Sequence, residues 1–357
     1  MNGRNVLFLC TIVIGQFTSY KAEKDGQVFV KVQTDAILPC EIDIQSDNQT
    51  FLTYTWTQGS VFLFTAKKVQ ENVTLTYLTD SLKTKYSLAD EFSLKIKDVE
   101  LTDTGLYTCT VGVYRDPDTI DLVYKLNNTT QLFVQDVPSK PGRPQIGNLL
   151  SRKVFVWWLA STEDHNSVIS SYLIQVRTNV GNWIIGHKVS TNIHVKNIST
   201  TVVNLKPYTT NQLRIVAVNS IGHSIPSDAS VFFVTPEEVP EAPPQNLLAI
   251  SDNSSVIHIT WDAPPDDTIN GELKSYEILY SKADAKVFSV ITFELSDSTP
   301  DVSQKLDIPG VKPYTEYIIQ IAAMNNQGTG PVAKTVVVTA EGSMFENKNC
   351  PFSLACY

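Results

Sequence analysis

The sequence predicts an all-β fold of three tandem β-sandwiches. Short segments rich in Val, Ile, Thr and aromatic residues alternate with polar positions, and clusters of Pro, Gly, Asn and Asp separate them. No long segment has the helical period of about 3.6 residues. At 357 residues the chain has room for two or three domains of ordinary size.

The first element has the pattern of an export signal. Arg4 supplies a positive charge, and residues 6–15 form an apolar run too short to span a bilayer. Polar residues end the run, so we predict a signal peptide over residues 1–19 that is cleaved, with an uncleaved membrane anchor as the alternative. The expected location is secreted or extracellular at the cell surface, with no transmembrane segment after cleavage.

Two proline-rich stretches, residues 137–144 and 236–244, mark the expected domain joints because proline cannot donate to a β-ladder. The chain then divides into a first domain, two further domains and a short tail. The predicted boundaries are 24–136, 137–236, 239–340 and 341–357.

The second and third domains repeat each other. The segment LKPYTTNQLRIVAVNSIG from Leu205 aligns without a gap with VKPYTEYIIQIAAMNNQG from Val311, 106 positions later. Upstream, Trp158 matches Trp261 at a spacing of 103. A near-constant spacing indicates one duplicated domain of about 100 residues, the size of a seven-stranded sandwich.

The first domain resembles the immunoglobulin superfamily. Cys40 is followed 16 residues later by Trp56, and then by the D-x-G-x-Y-x-C motif that ends at Cys109. The resemblance implies a disulfide between Cys40 and Cys109, with Trp56 packed on it. It also implies that Tyr107 forms a tyrosine corner.

The spacing of 69 between the two cysteines is similar to that of variable-type immunoglobulin domains. In that type a basic residue usually pairs with the Asp of D-x-G, and Lys85 and Asp103 occupy these positions. The resemblance therefore implies a contact between Lys85 and Asp103. Lysine lacks the bidentate fork of arginine, so the pair should be weaker than the usual one.

The repeated domains resemble fibronectin type III domains, including L-x-P-x-T before a strand and A-x-N-x-x-G after it. This resemblance places Trp158 and Trp261 in the cores and implies a corner hydrogen bond from Tyr317. Asn211 stands at the corresponding position of the first copy, so we expect that copy to be less stable. Trp157 should point outwards, where it contacts a domain or partner or lies under Arg and Lys stems.

The segment after Cys109 is a candidate binding loop because VYRDPDTIDLVYKLNNTT intervenes before the last strand. Loops at the end of a sandwich commonly bind partners. The alternatives are a long hairpin or a loop, and a glycosylated insertion without a partner is an equal possibility. The candidate residues are Tyr114, Arg115, Asp116, Asp118 and Asp121.

Six N-x-Ser/Thr acceptors lie across the three domains, which is typical of a chain exposed to the secretory pathway. Chance alone accounts for one or two of them, and the overlapping pair at 127 and 128 can carry a single glycan. The acceptors are Asn48, Asn72, Asn127, Asn128, Asn197 and Asn253.

Several function classes are disfavoured. A formal net charge of −9 argues against nucleic acid as a partner. The five histidines lack metal-ligand spacing, and no nucleotide-binding or catalytic motif occurs in the sequence. We therefore expect no enzyme activity, no cofactor, no metal and no small-molecule substrate.

The resemblance implies an extracellular recognition or cell-adhesion protein that binds another cell-surface or extracellular protein through the immunoglobulin-like domain, with the fibronectin pair as a spacer. The alternative is a truncated or soluble isoform of a receptor, for example a receptor tyrosine phosphatase or kinase. A structural matrix component is a third possibility. In the tail, Cys350 and Cys356 can bridge each other or link two chains as a dimer.

Overall fold

The computed structural model describes most of the three domains. The described residues are 23–24, 26–44, 51–69, 72–115, 121–179, 181–190, 195–295 and 303–341. The predicted signal peptide and the tail cysteines Cys350 and Cys356 lie outside the described residues.

The N-terminal sandwich consists of two β-sheets. Its elements are β1 (Glu23–Lys24), β2 (Gln27–Lys31), β3 (Ala36–Leu38), β4 (Phe51–Gln58), β5 (Val61–Val69), β6 (Asn72–Tyr77), α1 (Leu82–Lys85), β7 (Tyr86–Leu88), β8 (Leu94–Ile96), β9 (Gly105–Tyr114) and β10 (Leu122–Gln135), with 3₁₀ turns at Asp90–Phe92 and Leu101–Asp103. A seven-stranded sheet in the order β1-β2-β10-β9-β4-β5-β6 packs on a three-stranded sheet in the order β3-β8-β7. Strand β10 runs parallel to β2 and antiparallel to β9.

The two sheets of this sandwich are joined by a disulfide between Cys40 and Cys109, whose Cα atoms are 5.7 Å apart. Trp56 is fully buried in the same core, and its indole N–H donates to the carbonyl of Phe92 at 3.1 Å. Inward-facing residues alternate with outward-facing ones along β3 and β8, which is why such short strands fill the core. The bridge closes a loop long enough to contribute about 4 kcal/mol of stability in the loop-closure account.

The middle and C-terminal sandwiches have the same topology. Each pairs a three-stranded sheet, β11-β12-β15 or β18-β19-β22, with a four-stranded one, β14-β13-β16-β17 or β21-β20-β23-β24. The middle strands are β11 (Gln145–Leu149), β12 (Lys153–Leu159), β13 (Ser171–Thr178), β14 (Ile184–Ser190), β15 (Asn197–Val203), β16 (Thr210–Val218) and β17 (Phe233–Val234). The C-terminal strands are β18 (Gln245–Ile250), β19 (Val256–Asp262), β20 (Ser275–Lys282), β21 (Ser289–Glu294), β22 (Gln304–Pro309), β23 (Glu316–Asn325) and β24 (Gly328–Val338), with a 3₁₀ turn at Asp266–Thr268.

Both repeated cores are built on a tryptophan and tyrosine pair packed edge to face. Trp158 and Tyr172 have ring centroids 5.7 Å apart, and Trp261 and Tyr276 are 5.3 Å apart. All four side chains are almost completely buried. Burial raises the pKa of Tyr276 to about 12. The duplication seen in the sequence therefore extends to the packing of the core.

Hydrogen bonds between neutral groups join the N-terminal sandwich to the middle sandwich. The Asn166 amide donates to the carbonyl of Val134 at 2.8 Å, and the Gln135 amide donates to the carbonyl of Asn166 at 2.8 Å. Buried Asn219 donates to the carbonyl of Asp136 at 2.7 Å. The linker is therefore attached to the middle sandwich through its backbone.

Charged side chains hold the next joint. Arg152 contacts Glu238 at 2.7 Å and Glu241 at 2.8 Å, and Lys206 lies 3.1 Å from Asp267. Asn325, at the position equivalent to Asn219, donates to the carbonyl of Glu238 at 2.6 Å. The linker is thus bound in the same way at both joints, while the surrounding contacts differ.

No helix among the described residues is both long and apolar enough to cross a membrane. Within that same part, no group of three or more His, Cys, Asp or Glu side chains is placed to hold a metal ion.

Candidate functional site

The candidate binding segment lies in the hairpin formed by β9 and β10. The two strands pair from Gly105 and Leu132 at one end to Tyr114 and Leu122 at the other, with an irregular register near Leu122. The last described contact before the tip runs from the Arg115 N–H to the Asp121 carbonyl at 3.3 Å. Of the two alternatives left open by the sequence, hairpin or loop, the structure has a hairpin, and residues 122–130 are strand.

The hairpin tip lies at the end of the N-terminal sandwich that is remote from the middle sandwich. Strand β10 has 14 residues and runs from the tip to the joint at Gln135. At a rise of about 3.3 Å per residue, its two ends are roughly 45 Å apart. The tip is therefore at the end of the N-terminal sandwich that lies away from the joint.

The five candidate loop residues occupy different environments. Tyr114 is the last residue of β9 rather than part of a loop, and its ring stacks on Phe51 with centroids 4.9 Å apart. The Lys67 ammonium lies 5.1 Å from the same Phe51 ring, so Tyr114 belongs to a packed aromatic cluster on the sheet. Its expected role in the loop is corrected to a role in supporting the hairpin.

Arg115 and Asp121 are exposed and flank the turn on its two sides. Asp116 and Asp118 lie outside the described residues. Leu122 and Val123 follow Asp121, and both are about two-fifths exposed. Sequence reasoning missed these two apolar residues, although their position directly after the acidic segment is visible in the sequence. The described part of the tip therefore presents apolar side chains beside charges of both signs.

The opposite end of the sandwich is occupied by structural contacts. Lys85 Nζ lies 2.7 Å from Asp103 Oδ2 and donates to the carbonyl of Asp98 at 3.0 Å. The Glu100 N–H also donates to Asp103 Oδ2, at 2.8 Å, and the Tyr107 hydroxyl donates to the Asp103 carbonyl at 2.9 Å. Burial raises the pKa of the Tyr107 phenol. This cluster fixes the entry into β9 at the end of the sandwich opposite the tip.

The predicted glycosylation acceptors lie mainly on exposed faces. Asn72, Asn127, Asn197 and Asn253 are exposed, and Asn48 lies outside the described residues. Asn128 is half-buried on the core side of β10, and its amide donates to the carbonyl of Glu41 at 3.1 Å. Because adjacent strand residues face opposite ways, the overlapping pair offers one outward acceptor, Asn127.

Comparison with known families agrees with this architecture. The immunoglobulin V-set domain matches residues 23–135, and the fibronectin type III domain matches residues 139–233 and 242–339. The chain belongs to the immunoglobulin and fibronectin type III families. Its N-terminal sandwich is the immunoglobulin domain, and its middle and C-terminal sandwiches are the first and second fibronectin domains.

Three curated proteins illustrate its relatives. The chain is 33% identical over 257 residues, 71% of its length, to a protein of Aedes aegypti named "Putative receptor-type tyrosine-protein phosphatase mosPTP-1". It is 31% identical over 255 residues, 70% of its length, to the cell adhesion molecule Dscam1 of Drosophila melanogaster. It is 28% identical over 315 residues, 87% of its length, to human contactin-3.

The chain spans less than a third of each relative. It covers 19% of the Aedes protein, 12% of Dscam1 and 28% of contactin-3. Immunoglobulin and fibronectin type III domains are typical of non-enzymatic adhesion ectodomains, so the similarity concerns extracellular modules.

Proposed function

We propose that the chain is an extracellular recognition protein that binds another protein through the tip of its immunoglobulin domain. The observation that carries the proposal is the position of the β9–β10 hairpin tip at the end of the immunoglobulin domain that is remote from the fibronectin pair. Exposed Leu122 and Val123 supply apolar contact area there, and Arg115 and Asp121 supply charges that can set partner choice. Loops held by a rigid sandwich are where such domains commonly bind.

The two fibronectin domains act as a spacer in this proposal. Each has a separate hydrophobic core, and each linker is bound by a buried asparagine, Asn219 or Asn325. Such joints restrict the rotation of neighbouring domains relative to each other. They would hold the immunoglobulin domain away from the far end of the second fibronectin domain. Neither domain is assigned a catalytic role.

The relatives support a role in adhesion or reception. Dscam1 is named a cell adhesion molecule, and it shares 31% identity with this chain. Adhesion molecules of this architecture act outside the cell, which also suits the predicted export signal and glycosylation acceptors. The partner proposed is accordingly a cell-surface or extracellular protein.

A second candidate function is the ectodomain of a receptor, including a soluble or truncated isoform. The observation in its favour is the similarity to the receptor-type phosphatase of Aedes aegypti, of which the chain covers 19%. Sequencing the complete transcript tests this candidate. An apolar stretch of about 20 codons followed by a catalytic domain would support it, and a stop codon directly after Tyr357 in every transcript would contradict it.

A binding screen followed by replacement of the tip tests the leading proposal. The purified full chain is screened against a panel of cell-surface ectodomains to obtain a partner. Residues 115–121 are then replaced by a Gly-Ser segment of equal length, which leaves Tyr114 and the paired strands in place. The matched control replaces residues 283–287, an exposed turn of the second fibronectin domain.

The tip variant should lose at least about tenfold in affinity, or about 1.4 kcal/mol, while the turn control binds like the parent. Circular dichroism and an intact Cys40–Cys109 bridge would show that the variant is folded. Parent-like affinity of a folded tip variant would contradict the proposal and move the site elsewhere on the chain.

The tail bears on the oligomeric state of the proposed product. Cys350 and Cys356 can pair within one chain or between two. A non-reducing gel of the secreted protein distinguishes a monomer from a disulfide-linked dimer. Recovery only in the detergent-soluble membrane fraction would instead indicate an uncleaved anchor.

A further inference from the structure

The first fibronectin domain carries an apolar stripe on the outer face of its three-stranded sheet. Phe155, Trp157 and Leu159 alternate with buried residues along β12, and their side chains are 40%, 40% and 52% exposed. The rings of Phe155 and Trp157 lie 6.1 Å apart between centroids. A contiguous exposed patch of this kind usually has an occupant.

The neighbouring strands leave a groove beside the stripe. Its volume is about 610 Å³, and its lining includes Trp157, Leu159 and Asn197. Gly147 on β11 makes room for the rings, because a Cβ there would approach Phe155 to 2.8 Å and Trp157 to 3.0 Å. A Cβ at Gly142 would similarly approach Leu159 to 2.8 Å. Larger residues at these glycines would fill space beside the stripe.

One glycosylation acceptor stands at the end of this groove. Asn197 begins β15 and pairs directly with Leu159, while Ser199 of the same N-x-Ser motif pairs with Trp157. Directly opposed residues on a sheet face have Cβ atoms about 5 Å apart, and the diagonal pair of Asn197 and Trp157 is about 7–8 Å apart. A sugar joined to Asn197 therefore starts within reach of both apolar side chains.

We propose that the N-linked oligosaccharide on Asn197 lies in this groove and covers Trp157 and Leu159. The proposal rests on the predicted glycosylation of Asn197, independently of the partner-binding role. An N-acetylhexosamine has a face of C–H groups and an acetyl methyl for the indole ring, while its hydroxyls remain in water. The polar Gln145 and Ser199 on either side of Trp157 are suited to its edges.

The second fibronectin domain supplies an internal comparison. Its equivalent outer row is polar, with His258, Thr260 and Asp262 in place of Phe155, Trp157 and Leu159. Ser303 directly precedes Gln304, the partner of Trp261, and the Ser303 hydroxyl donates to the Asp262 carboxylate, so Ser303 takes the place beside Asp262 that Asn197 has beside Leu159. The first domain, which has the apolar row, thus has the glycosylation acceptor Asn197 at this position. The second domain, which has the polar row, has Ser303 there.

Oxidative footprinting of the full chain secreted from glycosylating cells tests the proposal. Hydroxyl radicals label accessible side chains, and peptide mass spectrometry reports both the glycan at Asn197 and the oxidation of Trp157. The test variant is Asn197→Gln. The matched control is Asn253→Gln, which removes an exposed acceptor of the second domain that no aromatic stripe adjoins.

Oxidation of Trp157 should rise at least threefold in Asn197→Gln and remain unchanged in Asn253→Gln, with oxidation of buried Trp158 as the internal reference for folding. An occupied Asn197 with equal Trp157 oxidation in parent and Asn197→Gln would overturn the proposed packing. An unglycosylated Asn197 would overturn the glycosylation on which it rests. If Trp157 is protected in both proteins and light scattering shows a dimer, the occupant is a second copy and the proposal is wrong.

Discussion

The two fibronectin domains share a core and differ on their surfaces. Trp158 and Trp261 pack against Tyr172 and Tyr276 in nearly the same way. Outside that core, the first domain presents an aromatic stripe, whereas the second presents a polar row around His258. Duplication has therefore preserved the inward residues of each strand, which the sandwich requires, and left the outward residues free to change.

A second difference lies in the corner that precedes the sixth strand of each domain, β16 in the first domain and β23 in the second. In the second domain the hydroxyl of buried Tyr317 accepts the Lys312 N–H at 2.9 Å. In the first, Asn211 is equally buried but donates to the carbonyl of Thr209 at 2.9 Å and accepts from the hydroxyl of Thr178, on the neighbouring strand, at 3.0 Å. The buried polar groups of both corners therefore form hydrogen bonds. Only the corner of the second domain also buries an aromatic ring.

The shared core gives the largest expected effect. Trp158→Ala and Trp261→Ala should each lower the free energy of unfolding of their own domain by about 3–5 kcal/mol, because a large buried ring is lost and a cavity remains. Hydrogen exchange followed on peptides from β13 and β20 reports each domain separately. A cost below about 1 kcal/mol at either site would show that the two cores are not equivalent.

The corner gives the next effect. Tyr317→Asn should destabilise the second domain by about 2–4 kcal/mol, since it removes the ring and leaves the Lys312 N–H without its phenolic acceptor. The parent's first domain should already unfold before its second, by a smaller margin because Asn211 makes its own hydrogen bonds. Slower exchange of the first domain's core amides in the parent chain would contradict this order.

The joints should differ in their response to salt and acid. Hydrogen bonds from Ser151 and Arg152 lower the pKa of Glu238 from its ordinary value of 4.5. A lowered carboxyl pKa stabilises the folded state above that ordinary value, and the stabilisation is lost as the pH falls through the folded pKa. Arg152→Ala, high salt or acid should therefore loosen the joint between the fibronectin domains, by at most about 1 kcal/mol.

Small-angle scattering of the full chain measures this effect through the spread of interdomain distances. The joint between the immunoglobulin and first fibronectin domains is the internal control, since the described side-chain hydrogen bonds that run from Thr104, Val134 and Gln135 to Asn166 are made by neutral groups. Equal salt sensitivity of both joints would remove the distinction between them.

His258 gives the smallest effect. Its pKa is raised because Asp307 Oδ1 lies 2.7 Å from Nδ1 and Asp252 Oδ1 lies 3.0 Å from Nε2. A raised histidine pKa stabilises the fold fully below the ordinary value of 6.5, and the stabilisation is lost as the pH rises through the folded pKa. The second domain should therefore lose a little thermal stability as the pH rises from about 6.5 through the raised folded pKa of His258.

His258→Gln should abolish that slope, since glutamine does not titrate. In the first domain, Phe155 occupies the equivalent position, so the same contribution is absent there. A pH slope of the second domain that persists in His258→Gln would assign it to other groups.

Local sequence signals were enough to predict the three sandwiches. Each strand must bury particular residues, and this requirement can be recognised within a single segment of sequence. Examples are the spacing of Cys40, Trp56 and Cys109, and the repeat of Trp158 in Trp261. Contacts between segments that are distant in the sequence could not be predicted in this way. The sequence places Tyr114 at the start of a loop, because its stacking partner, Phe51, is far away in the sequence.

The groove beside Trp157 shows the same limit. The outward direction of Trp157 and the acceptor at Asn197 are both evident in the sequence, but their proximity depends on the register between β12 and β15. The contact between Arg152 and Glu238 could not be predicted from local sequence either, because the two residues meet only after two domains have folded.

In the proposed function, recognition resides in the immunoglobulin domain and the fibronectin pair is a spacer. The most direct test is calorimetric titration of the screened partner against the full chain, residues 23–136 and residues 137–341. The immunoglobulin fragment has its own core and disulfide, which favour independent folding. The immunoglobulin fragment should bind with the same Kd as the full chain and the fibronectin pair should not bind, whereas binding by the pair alone would contradict its role as a spacer.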